Sequence, residues 1–192
     1  MFSLQDLYEM FREAPDIDLK NWDVGEAKTL THLLDEILEG EAKVELVDGE
    51  IHRNIEVVSI TIFSPTNPTM LLRETGQVFT DGRKRVRNLP NNCSIAEKIK
   101  FLNNETPEVA VIRACQEELR QIQEPVNAGQ LQYISTHTRQ ALSTSYPGVL
   151  TNKTVYIFHC NFTQGQYNPE GYTEIQDDKT NYFKWFQIPT TV

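Results

Sequence analysis

Residues 105–121 read ETPEVAVIRACQEELRQ, and the reading of this stretch decides the fold. Thr106 can cap a helix through its hydroxyl oxygen, Pro107 suits the first helical position because its missing N–H has no intrahelical partner, and Glu108 faces the positive end of the helix dipole. Ile112, Cys115, Leu119 and Ile122 recur at helical spacing as one apolar stripe, from which position 114 is offset. The pattern predicts a helix from about Pro107 to Gln121 with one face in a core. The same helix carries Arg113, Glu117 and Glu118, and Glu105 stands just before its cap. Arg113 and Glu117 are i,i+4 neighbours able to pair, and Glu118 lies about 100° round the helix from Glu117. Carboxylates concentrated in this way suit hard cations such as Mg2+ or Mn2+, which in turn bind phosphate oxygens.

On the N-terminal side, Leu4, Leu7, Tyr8 and Phe11 repeat at helical spacing behind a Ser3 cap, and Ala27, Leu30, Leu34, Ile37 and Leu38 do so again before Gly40. Two helices are expected there. From Ala42 the period shortens: AKVELV, IEVVSITIF, TMLLRE and QVF are β-branched or aromatic runs broken by Asp48-Gly49 and by Pro65 and Pro68. Asp81-Gly82 between QVF and KRVRN predicts a hairpin. Ser94 and Glu97 have the spacing of a capping box, which predicts a short helix through SIAEKIKFL. Beyond residue 121, LQYIST, KTVYIFHCNF, YTEIQ and NYFKWFQI read as strands between Gly-, Pro- and Asn-rich loops. Helices, strands, a central helix and more strands argue for a mixed sheet flanked by helices.

The chain has 192 residues and a formal net charge of −9. That length fits one domain, and that charge makes bulk nucleic acid or an anionic membrane surface an unexpected partner. Neither a dinucleotide-binding G-x-G-x-x-G nor a P-loop is present. Cys93, Cys115 and Cys160 have no paired spacing, so neither a disulfide framework nor a zinc site is expected. The acidic start of the chain and the lack of a long apolar run lead us to expect a cytoplasmic protein without a membrane span. The N-x-[ST] triplets at Asn92, Asn104, Asn152 and Asn161 are then fortuitous. Arg83, Lys84, Arg85 and Arg87 fit an exposed hairpin edge better than a phosphate contact. His159 reads as a sheet histidine, while His32, His52 and His137 share no spacing. Tyr133, Tyr146 and Tyr167 suit base stacking and ordinary packing equally.

The helix and its acids resemble the Nudix signature G-x5-E-x7-R-E-U-x-E-E-x-G-U, where U is aliphatic. Glu105, Arg113, Glu117 and Glu118 match. Ile99 replaces the first Gly, Ala114 the Glu after Arg, Cys115 an aliphatic residue, Arg120 the second Gly and Gln121 the last aliphatic residue. The resemblance covers about Ile51 to Pro189 and implies a Nudix-like α/β/α sandwich with a mixed sheet over residues 51–192. Residues 1–50 form a helical extension that either packs on the same domain or mediates a homodimer.

The activity implied is Mg2+- or Mn2+-dependent hydrolysis of a nucleoside diphosphate linked to another moiety, a small-molecule nucleotide derivative. Glu117 and Glu118 would then be metal ligands, Glu105 and Arg113 would brace the loop and the helix, and Glu174 or Glu170, just before the Trp185 strand, would supply the base. The loss of the carboxylate at Ala114 opens an alternative: a Nudix-like domain that binds a nucleotide or a protein without hydrolysis. A third reading takes the four matching residues as coincidence in an interaction module.

Overall fold

The computed structural model describes residues 2–86 and 93–188. Among these the chain forms a mixed α/β fold with three α-helices and one open, mixed sheet. The elements run α1 (Leu4–Arg12), α2 (Leu30–Leu38), β1 (Lys43–Val47), β2 (Glu50–Phe63), β3 (Met70–Phe79), β4 (Lys84–Arg85), β5 (Ile95–Lys98), α3 (Pro107–Glu118), β6 (Leu131–Leu142), β7 (Leu150–Asn161), β8 (Tyr172–Ile175) and β9 (Lys179–Gln187). The strand order is β6-β7-β2-β3-β9-β8, with β1 and β5 also on β2 and β4 on β3.

Pairs β1/β2, β2/β3, β3/β4, β3/β9 and β8/β9 are antiparallel. Strand β7 runs parallel to β2: Asn152 Nδ2 donates to Asn54 Oδ1 at 2.8 Å, and further along both strands Phe162 N–H donates to Phe63 O at 3.2 Å. The chain divides into two compact units, one of Met1–Val57, Lys98–Glu105 and Thr136–Val155, the other of Val58–Glu97, Thr106–Ser135 and Tyr156–Val192.

In the first unit, Ser3 caps α1 and the Asp6 carboxylate accepts from the Ser3 N–H in return, while Thr29 caps α2 with His32 in the reciprocal place. Leu7, Phe11, Leu30 and Leu33 turn inward from these helices and meet Trp22, Ile51, Tyr146 and Val149. The hairpin of β1 and β2 closes at Asp48-Gly49, both at positive φ, so that Val47 pairs with Glu50. A two-residue turn of that hand matches the twist of the strands and selects these residue types.

In the second unit, the runs TMLLRE and QVF form the single strand β3, whose register against β9 shifts between Glu74 and Gly76. Asp81-Gly82 makes the expected turn, with Gln77 and Val78 opposite Arg85 and Lys84. Two expectations are corrected. SIAEKIKFL is not a helix: Ile95–Lys98 is strand β5, and only Phe101–Asn103 makes a short 3-10 turn. The Ser94 hydroxyl, instead of capping a helix, donates to Leu72 O at 2.5 Å and accepts from Ile62 N–H at 2.9 Å, so two distant strands hold it extended. The central helix stops at Glu118 because Leu119, fully buried, leaves helical geometry at φ −120° and ψ 49°. No helix among the described residues is long and apolar enough to cross a membrane.

Candidate active site

In the second unit, α3 begins as its sequence requires: Pro107 opens it and the Thr106 side chain accepts from Val109 N–H at 3.4 Å. Its inward face is turned from the expected one. Ala110, Val111, Ala114 and Cys115 are fully buried, while Ile112 is only half-buried. Small side chains let the helix approach its neighbours closely, and the Cys115 thiol meets Cys160 of β7; that hydrogen bond and burial push the Cys115 pKa up. Position 114 is therefore a core position and not the solvent-side offset expected from the stripe.

This rotation directs the acids. Glu117 is exposed and accepts from Arg113 Nη1 at 2.9 Å, the i,i+4 pair that the spacing anticipates. Glu118 points inward to half-burial, close enough to Glu174 for the two carboxyl groups to act on each other. Two features of β8 bring Glu174 there. Tyr172 and Glu174 alternate onto the buried face of the strand while Ile175 faces out. Helix α3 packs against β8, and Gln121 Oε1, just past the helix, accepts from Thr173 N–H at 3.2 Å.

Glu174 is 3% exposed. A carboxylate so deep needs donors, and it has two: Gln176 Nε2 at 2.6 Å and Nδ2 of Asn181, its register partner on β9. Tyr172 also joins an aromatic cluster with Phe162, Tyr167 and Trp185 that anchors β8, and Trp185 Nε1 donates to Asn168 O at 2.8 Å.

Burial is the main cause that pushes the Glu118 pKa up to about 8; the neighbouring Glu174 carboxyl group and the charges of Glu97 and Glu74 add to it. Glu118 accordingly keeps its proton at neutral pH. Glu74 on β3 was not singled out in the sequence, and Glu97 on β5 only as a capping partner of Ser94. The signal that could have found them is a lone acid ending an apolar strand run, as in TMLLRE and IAEK.

Glu105 belongs to the first unit, where its carboxylate accepts from Lys100 N–H at 2.7 Å and so shapes the loop that leads into α3. Glu170 is exposed in the loop before β8. Among the described residues no group of three or more His, Cys, Asp or Glu side chains stands close enough together to hold a metal ion.

The other candidates pack as structure. His159 on β7 meets Phe63 edge-on at 5.0 Å, and burial lowers its pKa. Tyr133 packs on Phe158, Tyr146 on Trp22 and Tyr167 on Trp185, at centroid distances of 5.7, 5.3 and 5.2 Å. Arg83 pairs with Asp81 at 2.6 Å and Lys84 and Arg85 are exposed on β4, whereas Arg87 lies outside the described residues.

No family model matches the chain, and no curated protein matches it. Among solved structures it is similar to the Ap4A hydrolase of C. elegans at 13% identity, a TM-score of 0.37 and coverage of 69% of this chain and 80% of that one. The Nudix hydrolase RenU of M. smegmatis is similar at 13% identity and a TM-score of 0.31, with 75% and 78% covered. At this identity the likeness concerns the backbone alone.

Proposed function

We propose that the chain is a Mg2+- or Mn2+-dependent pyrophosphohydrolase acting on a nucleoside diphosphate linked to another moiety. The observation that carries this reading is the neighbouring pair of half-buried Glu118 and buried Glu174, with the charges of Glu97 and Glu74 acting on Glu118. Mg2+ demands little of a protein: one or two carboxylates, several waters and the phosphates of its substrate suffice, so a pair of acids fits it without a larger cage. Mutual repulsion among four acids is also what a divalent cation would relieve.

A bound cation would polarise the phosphoryl oxygens and acidify a water. Glu118 would hold that cation, and a carboxylate oxygen of Glu174 would receive the proton of the attacking water. The N–H groups of Asn181 and Gln176 keep Glu174 in place for this. Glu117, whose Oε2 accepts from Arg113, would join the cation through its other oxygen. Glu105 fixes the loop before α3 through Lys100, and Arg113 stiffens the helix through Glu117. On this reading residues 1–50 extend a Nudix-like domain of residues 51–192. Buried thiols at Cys93, Cys115 and Cys160 suit a reducing cytoplasm.

One observation favours a second reading. Ala114 is fully buried, so the box helix offers no carboxylate one residue after Arg113 and no room for one. A domain with that deficit would bind a nucleotide or a protein without hydrolysing anything. A screen of nucleoside diphosphate derivatives with Mg2+ and with Mn2+, read by phosphorus NMR, separates the two: new phosphate-containing products support hydrolysis, and metal-dependent binding without products supports the second reading.

A further inference from the structure

We propose that the first unit carries an anion site of its own, which takes the phosphate groups of a small molecule. The site is a cavity of about 360 Å3, a size suited to a small ligand, into which Lys28, Arg53, Lys98, Arg139 and Lys153 project. All five belong to the first unit, and Glu36 is the single carboxylate among the residues that line it. The proposal does not rest on the reading of Glu118 and Glu174.

The charge arrangement is what points to a ligand. Arg53 reaches one Glu36 oxygen through Nε at 3.1 Å and Nη2 at 2.5 Å. Lys28 and Lys98 reach the other at 2.8 and 3.0 Å. Glu36 thus serves three cations, of which Lys98 also pairs with Glu41 at 2.8 Å, and Arg139 and Lys153 line the same hollow. The Arg53 side chain is only 8% exposed, and a guanidinium at that depth is stable only if negative charge offsets its desolvation.

In a chain of net charge −9 such an excess of positive charge in one recess is not the average surface. The lining adds the hydroxyl groups of Ser143, Thr144, Ser145 and Thr151. Thr151 Oγ1 is shielded from solvent and has no hydrogen-bond partner. Several cations and a row of hydroxyl donors around one hollow match a multiply charged, many-oxygen group, as a phosphate or diphosphate is and a single carboxylate is not. A recess of this size also selects against duplex nucleic acid, whose phosphates are spread along the helix and are met by several spaced cations.

Calorimetry of the full chain tests the proposal, with EDTA present so that no divalent cation contributes. Pyrophosphate, adenosine diphosphate, adenosine and a short DNA duplex are the probes. Pyrophosphate should bind, more weakly as KCl is raised, and Arg139→Gln and Lys153→Gln should each weaken it about tenfold, the loss expected for one charge-assisted contact. Arg139 is exposed, so its variant keeps the fold. Tighter binding of adenosine diphosphate would identify an organic phosphate, and tighter binding of pyrophosphate an inorganic one; either supports the site. Adenosine binding as tight as adenosine diphosphate, affinities unchanged in both variants, no binding of either phosphate, or tighter binding of a DNA duplex than of pyrophosphate would overturn it.

Discussion

Glu36 shows how a buried charge is kept. Burial alone would raise its pKa, yet the Lys28 hydrogen bond and the charges of Arg53 and Lys98 outweigh that and hold it at about 2. A carboxylate lowered in the folded state contributes stability that is complete above its unfolded pKa, near 4.5, and is lost as pH falls towards about 2. Urea titrations between these pH values should therefore show wild type losing stability faster than Glu36→Ala. At pH 7 that variant should be less stable by about 3–5 kcal/mol, because it leaves Arg53 buried and unpaired.

Ala114→Glu is the second test at this scale. Its methyl group is fully enclosed, so a carboxylate there should cost at least about 2 kcal/mol in thermal or urea unfolding, whatever it gains for a cation. An unchanged midpoint would mean that α3 turns the other way. The buried acids were only partly legible in the sequence. Glu118 was marked by its distance from Arg113, and Glu174 by its place before the Trp185 strand. Glu74 and Glu97 became visible only once β3 and β5 were folded, and Glu36 only once Arg53, 17 positions away, came to meet it.

Among elements, those with local signals were legible. Ser3 and Thr106 cap helices, and two Asp-Gly dipeptides turn hairpins, because each needs only neighbours within a few residues. Strand β5 was not, since Ser94 and Glu97 satisfy a capping box on paper and the deciding partners, Leu72 and Ile62, are far away in sequence. Strand β8 depends on Gly171, which precedes it at φ +85° and lies so close to Phe183 O that a Cβ would overlap it. Gly171→Ala should therefore destabilise the chain by about 2 kcal/mol or more in urea unfolding. It should also weaken any function that needs Glu174 beside Glu118. Full activity in this variant would separate β8 from the site.

At the scale of the molecule, an acidic chain gathers its charges into two opposite environments. The second unit concentrates acids around Glu118, and the first unit gathers cations around Glu36. Composition alone could not reveal this, because net charge sums over the surface and hides its distribution. The central claim is that the pair Glu118 and Glu174 supports metal-dependent cleavage of a diphosphate bond. The most direct measurement is turnover of the best substrate from the nucleotide screen at saturating Mg2+, comparing wild type with Glu118→Gln after both are shown to be folded by circular dichroism. The account predicts that kcat falls at least about 100-fold in the variant, as loss of a metal-holding or proton-accepting group requires. Equal turnover in the two proteins would contradict it.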